Sequence, residues 1–211
     1  TSLFTNTLNP QTLHYRTKNT VTGCFSDVIG TFDLIINDLP PILSIPDLHE
    51  CDDTSVGTDK DGLHEFDLTQ KDAEIYAALG GNPTDYKISY HTTLINSENG
   101  VKIDTSIPFE NTVPNEQLIF VRIEDNKGCV RYDNSFKVIV DKLPELKTTS
   151  ITLDQCESDG QIKYNLNSLK SQYSANSANE TFEFYLDASF STSTKILTPE
   201  NFVVPVGVLT Q

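Results

Sequence analysis

The sequence predicts an all-β protein built from tandem copies of one module, and three observations lead to this fold class. Several unlike sequence features return in the same order along the chain. Most apolar runs have the length and alternation of short β-strands. The cysteines occupy two positions in each period, because Cys24 and Cys129 are 105 residues apart, as are Cys51 and Cys156.

The internal repeat is carried by strand, turn and boundary features together. The matching segments are residues 4–8 with 109–113, 11–16 with 117–122, Gly23-Cys24 with Gly128-Cys129, 32–36 with 136–140, and Leu39-Pro40 with Leu143-Pro144. Self-similarity at a fixed period is the sequence signature of a repeat architecture. Chance does not produce so many different features in one order, so we expect each period to fold as one module.

The Leu-Pro pairs predict where each module ends, because proline cannot donate to a central strand ladder. Residues 1–41 are then the C-terminal strands of a preceding module, and 42–145 form one complete immunoglobulin-like module. Residues 146–211 are the N-terminal part of a following module. A partial module cannot bury its own core. We therefore expect the two ends to complete each other, to pair with a neighbouring copy, or to depend on chain outside this sequence.

Strand-length runs rich in β-branched and aromatic residues predict the sheet structure of the module. The predicted strands are residues 63–68, 86–90, 118–123 and 135–140, with 181–186 as the counterpart of 86–90. Asp125-Asn126-Lys127-Gly128 has the chemistry of a hairpin turn. About seven short strands in one period of this size are typical of an immunoglobulin-like β-sandwich.

One short helix interrupts the strand pattern of the module. Residues 69–79 contain few β-branched residues and are followed by Gly80-Gly81. Thr69 is a suitable N-cap and Gly80 a suitable C-cap. We therefore expect one helix between two strands in each module.

The four cysteines predict disulfides formed in an oxidising compartment, since no Cys-x-x-Cys spacing indicates zinc. The favoured pairing joins Cys51 to Cys129 and closes one complete module, which leaves Cys24 and Cys156 to pair outside this chain. The alternative pairing joins Cys24 to Cys51 and Cys129 to Cys156 across the module boundaries. The spacing of the cysteines is compatible with both pairings.

Charge and motif content favour a non-catalytic protein. The net charge of −15 repels the phosphates of nucleic acids, and no apolar run is long enough to span a membrane. His14, His49, His64 and His91 do not have the spacing of a metal-ligand set, and no nucleophile elbow is present. We therefore expect no catalytic residues, no nucleic-acid partner and no membrane insertion.

The acidic loop that follows Cys51 is the candidate metal site. Its carboxylates are those of Asp52, Asp53, Asp59 and Asp61. Calcium prefers six to eight oxygen ligands, and an Asp-x-Asp-Gly turn supplies two carboxylates together with carbonyl groups. The sequence therefore predicts calcium as the one candidate cofactor. A polar turn between two strands is the alternative interpretation of the same residues.

The chain resembles the immunoglobulin-like repeats of large surface proteins of gliding Bacteroidetes, which are adhesin-like cargo of the type IX secretion system. The residues that carry the resemblance are 50–53, Asp61-Gly62, 66–69, 119–125, Gly128-Cys129 and Leu143-Pro144. The resemblance implies display at the cell surface and a role as a rigid spacer or adhesin segment without catalysis.

The partners expected from this resemblance are neighbouring repeat modules of the same protein and, beyond them, a surface polysaccharide or other cells. Two other functions fit the same sequence. They are a carbohydrate-binding module and an accessory domain of a secreted hydrolase.

Overall fold

The computed structural model describes residues 3–154 and 161–205, and in this part of the chain strands outweigh helices. The strands are β1 (Gln11–Tyr15), β2 (Gly30–Leu34), β3 (Leu48–Cys51), β4 (Glu65–Phe66), β5 (Tyr86–His91), β6 (Phe109–Glu110), β7 (Glu116–Asp125), β8 (Val130–Asp141), β9 (Gln161–Tyr164) and β10 (Phe202–Pro205). The helices are α1 (Asp72–Leu79), α2 (Leu94–Asn99) and α3 (Lys170–Tyr173). The prediction of a β-rich fold is confirmed.

The chain divides into two compact units, residues 1–141 and 142–211. The first unit contains β1 to β8, and the second contains β9 and β10. Among the described residues, no helix has both the length and the apolar character that crossing a membrane requires.

The N-terminal hairpin pairs β1 with β2 in antiparallel register, with Leu13 opposite Phe32. A bridge between Lys18 and Phe25 continues this pairing toward the loop. The Arg16 guanidinium lies 3.8 Å from the centre of the Phe25 ring, a distance typical of a cation–π contact.

Residues 42–145, which we call the central module, contain a main sheet of four strands in the order β3-β8-β7-β5. β7 pairs with β5 and β8 in antiparallel fashion, whereas β3 runs parallel to β8 at the edge of the sheet. Alternate residues of β7 are buried, because one face of this sheet packs on the core. The strands predicted at 86–90, 118–123 and 135–140 are thus present, and the last of them extends over twelve residues in β8.

A second, two-stranded sheet pairs β4 with β6, with Phe66 opposite Phe109. Phe66 is fully buried and joins these two strands to the core of the main sheet. The buried core residues are Leu48, Phe66, Leu68, Ile75, Tyr90, Ile119, Val121, Ile123, Phe136, Val138 and Val140. All of them lie within the central module, so this segment closes its own hydrophobic core. The strand predicted over 63–68 is shorter than expected, since only Glu65–Phe66 form a ladder.

The predicted helix at 69–79 is present as a 3-10 turn, Leu68–Lys71, followed by α1. Its N-cap is Asp67 and not the predicted Thr69, because the Asp67 carboxylate accepts a hydrogen bond from the Thr69 backbone N–H. The helix ends at Gly80, as predicted.

The expectation of a single helix per module is wrong, because α2 also lies in the central module. The Thr93 hydroxyl caps α2 by accepting a hydrogen bond from the Asn96 backbone N–H. Ser97 attaches α2 to β8 by donating its hydroxyl hydrogen to the Tyr132 carbonyl over 2.7 Å. The residues of α2 show no clear apolar periodicity, so the sequence pattern gave no signal for this helix.

The second unit pairs β9 with β10 in antiparallel fashion, with Tyr164 opposite Phe202. A 3-10 turn, Leu166–Leu169, leads into α3. The strand predicted over 181–186 is not formed. Tyr185 makes only an isolated bridge with Lys195, since no neighbouring strand extends the ladder there.

Candidate functional site

Cys51 lies at the downstream end of the central module, which we define as the end containing Asp141. Cys51 is the last residue of β3 and stands in register with Asp141, the last residue of β8. The next backbone N–H, that of Asp52, donates to the Asp141 carbonyl over 2.8 Å. Because β3 is an edge strand and Cys51 is exposed, its thiol is accessible to a partner outside the module.

Cys129 lies at the opposite, upstream end of the module. It is the last residue of the turn between β7 and β8. Its backbone N–H donates to the Asp125 carboxylate over 2.8 Å, and its carbonyl accepts from the Asp125 backbone N–H over 3.0 Å. The chain enters the module at this end, because the Arg131 side chain donates to the Pro40 carbonyl over 2.9 Å. Cys129 is half-buried, and its thiol is free.

The favoured Cys51–Cys129 pairing within one module is incompatible with this fold. The twelve residues of β8 separate the two cysteines, which corresponds to about 35–40 Å of extended strand. A disulfide requires Cα atoms within about 7 Å of each other. The prediction fails because the spacing in sequence does not reveal that β3 runs parallel to β8 and ends beside its C-terminus. Cys24 is a free, exposed thiol, and Cys156 lies outside the described residues.

The acidic loop after Cys51 is organised by hydrogen bonds from its carboxylates to its own backbone. The Asp52 side chain is only 2% exposed, and its Oδ2 accepts from the Gly62 N–H over 2.9 Å. Hydrogen bonds from Ser55 lower the pKa of the Asp53 carboxyl, and the nearby His64 ring lowers it further. Donation from the Thr58 backbone N–H lowers the pKa of the Asp61 carboxyl.

These contacts do not gather the predicted calcium ligands into one cluster. Among residues 3–154 and 161–205, no group of three or more His, Cys, Asp and Glu side chains could hold a metal ion. Oδ1 of the buried Asp52 has no hydrogen-bond partner, while Asp53 and Asp61 are engaged by their own loop. The loop geometry thus matches the polar-turn alternative, and calcium binding by Asp52, Asp53, Asp59 and Asp61 stays a prediction.

Asn111 and Gln117 are buried polar residues that hold the nearby loops in place and were not among the predicted site residues. The Asn111 side chain accepts from the His64 N–H over 2.7 Å and donates to the Gly62 carbonyl over 2.9 Å. Gln117 accepts from the Thr112 N–H over 2.7 Å. The signal for both was present in the repeat, since Asn6 and Gln11 occupy the matching positions of the preceding period.

Residues 47–144 match the model of a protein family described as the Flavobacterium inter-domain disulphide bond domain. The match covers just under half of the chain and points to a domain family of Bacteroidetes. It spans almost the whole central module, including Cys51 and Cys129. A family named for a disulphide bond points to an extracellular or periplasmic location, where such bonds persist. No curated protein and no solved structure matches the chain significantly.

Proposed function

We propose that this chain is a non-catalytic structural or adhesive segment of a long secreted surface protein, whose successive modules are joined by disulfide bonds. The observation that carries the proposal is the position of the two cysteines at opposite ends of the central module. A module with one thiol at each end is suited to covalent connection in series. The family description, which names an inter-domain disulphide bond, supports the same use of these residues.

The immunoglobulin-like assignment belongs to this proposal. In immunoglobulin-type sandwiches, strands C, F and G form one sheet, while strands B and E belong to the other. The order β5-β7-β8 and the separate β4–β6 pair correspond to these two groups. Both sheets contribute to one core, since Phe66 from β4 packs with Ile119 and Val121 from β7.

The two alternative functions receive less support from the side chains. Carbohydrate-binding modules usually present aromatic rings on an exposed surface. Tyr90 is instead buried in the core and donates its hydroxyl hydrogen to Asp72 over 2.5 Å, and Tyr86 packs against the same core. For the accessory domain of a hydrolase, no described feature adds to the sequence argument.

A length-replacement experiment in the parent protein tests the structural role. Deletion of residues 42–145 removes one complete period, and we expect reduced adhesion because the adhesive end lies closer to the cell. Replacement of these residues by an unrelated β-sandwich of similar length is the control, and it restores adhesion if the module acts as a spacer. Loss of adhesion in both variants would contradict a spacer role and indicate that residues 42–145 bind the target directly.

Calcium binding at the acidic loop is tested separately by titration. If the loop binds calcium, the Asp61→Asn variant of the full chain gives no heat on addition of Ca²⁺, whereas the unmodified chain gives saturable heat. Equal and negligible heat from both proteins would remove calcium from the account without affecting the proposed spacer role.

A further inference from the structure

We propose that each disulfide joins the downstream cysteine of one module, the position of Cys51, to the upstream cysteine of the next module, the position of Cys129. This inference rests on the proposed function, because it specifies the partners of the inter-module bonds. The proposed pairing differs from both pairings that the sequence suggests. One of those joins Cys51 to Cys129 of the same module, and the other joins Cys24 to Cys51 across a boundary.

The central module has two distinct ends, and each end contains one of its cysteines. Cys51 is the last residue of β3 and lies beside Asp141, the last residue of β8. The first unit also ends at Asp141. Cys129 precedes β8 at the other end, two residues before Arg131. Arg131 contacts Pro40, and Asn134 contacts Pro41 and Leu43, so the incoming chain meets the module at the Cys129 end.

Each cysteine of the central module lies close to a junction with a neighbouring module. Pro144 is the counterpart of Pro40 and follows Asp141 by three residues. In a following module of the same fold, Pro144 would contact the counterpart of Arg131, which lies two residues after the upstream cysteine. The three residues from Asp141 to Pro144 span about 10 Å at most, and the two residues from the upstream cysteine to the counterpart of Arg131 span about 7 Å at most. The chain itself therefore keeps the downstream thiol of one module close to the upstream thiol of the next.

The position of Cys24 is incompatible with a Cys24–Cys51 bond across the module boundary. Cys24 follows Gly23 in the β1–β2 loop as Cys129 follows Gly128, and both glycines have a left-handed backbone, with φ of 78° and 83°. Cys24 is therefore the upstream cysteine of its own period. When two modules are connected in series, Cys24 lies at the upstream end of the first module and Cys51 at the downstream end of the second. The two thiols are then separated by at least the length of β8.

The predicted bond can form only between two complete modules, so the test uses a chain that contains residues 42–145 twice in succession, between residues 1–41 and 146–211. The central module closes its own core, and the junction Glu145-Ile42 reproduces the spacing after the native Leu39-Pro40. The protein is oxidised in a glutathione redox buffer, its free thiols are alkylated, and its disulfide-linked peptides are identified by mass spectrometry. We expect one bond, from Cys51 of the first copy to Cys129 of the second.

Two matched variants with equal numbers of cysteines distinguish the pairings. The first carries Cys129→Ser in the first copy and Cys51→Ser in the second, and we expect it to keep the bond. The second carries the reverse changes, Cys51→Ser in the first copy and Cys129→Ser in the second, and we expect it to lose the bond. Circular dichroism of both variants shows whether the fold is unchanged.

The outcomes separate this inference from the proposed function. A bond in the second variant, a bond to Cys24 or Cys156, or bonds in the unmodified chain that both variants lose would overturn the pairing while leaving disulfide formation intact. Alkylation of every cysteine in the folded, oxidised chain would overturn the inter-module disulfides themselves.

Discussion

The β1–β2 hairpin and the β7–β8 hairpin are the same structural unit in two surroundings. Leu13 faces Phe32 in the first hairpin, and the matching residues Ile119 and Phe136 face each other in the second. The capping contacts also repeat. The Gln11 side chain accepts from the Thr7 N–H over 2.7 Å, as Gln117 does from Thr112. Strand register and turn geometry are therefore fixed by local sequence in both hairpins.

Burial distinguishes the two hairpins. Phe136 is 2% exposed and Val121 fully buried, whereas their counterparts Phe32 and Tyr15 are 48% and 56% exposed. In the central module, β3 and β5 flank the hairpin and the β4–β6 sheet packs on its apolar face. The described residues before β1, 3–10, form no strand that could flank or cover the first hairpin in this way. Local sequence thus specifies the hairpin, while the preceding part of a module supplies its core.

The second unit contains counterparts of some of the elements that surround the hairpin in the central module. β9 pairs with β10 as β4 pairs with β6, with Tyr164–Phe202 matching Phe66–Phe109. A 3-10 turn and a short helix follow β9, as they follow β4. Residues 161–205 therefore contain counterparts of the β4–β6 pair and of the turn and helix that follow β4, although no strand corresponds to β5 there.

The largest expected difference between the hairpins comes from truncation of the matched phenylalanines. Phe136→Ala removes a buried ring that packs edge-on against Tyr90 at 6.0 Å, so we expect the free energy of unfolding to fall by about 3–5 kcal/mol. Phe32→Ala alters an exposed ring, and we expect a change below about 1 kcal/mol. Urea unfolding of the full chain measures both. Equal losses would show that the β1–β2 hairpin has a core partner of its own.

Removal of the matched asparagines tests the polar contacts of the two hairpins. Asn111→Ala leaves the part-buried His64 N–H without its partner and removes one of the two donors to the buried Gly62 carbonyl, and we expect a loss of about 1–3 kcal/mol. Asn6 donates to the carbonyl of Leu8, two residues away in an exposed loop, so Asn6→Ala should cost less than about 0.5 kcal/mol. Chemical unfolding provides the comparison, and a large effect of Asn6→Ala would refute the assignment of that loop as exposed.

Acidification should weaken the central module through His91. Burial lowers the pKa of this ring, whose Nδ1 contacts the Val101 carbonyl at 2.6 Å. In the unfolded chain, the His91 ring binds a proton near its ordinary pKa of 6.5. The contribution of the neutral ring to the free energy of unfolding is therefore complete above this pH. It is lost as pH falls toward the lower folded pKa, by up to about 1.4 kcal/mol per pH unit.

The pH dependence is measured by urea unfolding at pH 7 and pH 5. His91→Asn should reduce the difference in unfolding free energy between the two pH values, because it removes the titrating ring. His14→Asn on the exposed strand β1 is the control, and we expect it to leave the difference unchanged. An unchanged difference in His91→Asn would assign the acid sensitivity to the carboxylates.

The smallest expected difference between the two hairpins comes from the turn glycines, where both hairpins should respond alike. Gly23→Ala and Gly128→Ala each place a side chain on a left-handed backbone, although no atom within 4 Å obstructs the new Cβ. We expect each change to cost about 1–2 kcal/mol in its own hairpin. Amide hydrogen exchange resolves the two sites. A much larger effect at Gly128 would indicate that the turn of the central module makes contacts beyond its backbone.

The sequence predicts most of the local structure because local signals determine it. The strand alternation around Ile119 and Val121, the turn ending at Gly128 and the helix ending at Gly80 all follow from residues close in sequence. The parallel pairing of β3 with β8 joins residues some ninety positions apart, and no local pattern encodes it. The favoured disulfide was wrong for that reason, since the distance between Cys51 and Cys129 depends on the direction of β3.

Circular permutation tests most directly the expectation from the internal repeat that residues 142–203 and 6–41 correspond to complementary parts of one module. In the permuted chain, residues 142–203 precede residues 6–141, so Val203 is joined to Asn6. Amide hydrogen exchange is measured for β1, β2, β7 and β8 in the permuted and original chains. The account predicts that protection of β1 and β2 rises to the level of β7 and β8. If β1 and β2 still exchange rapidly while β7 and β8 remain protected, the two segments do not form one module and the account is contradicted.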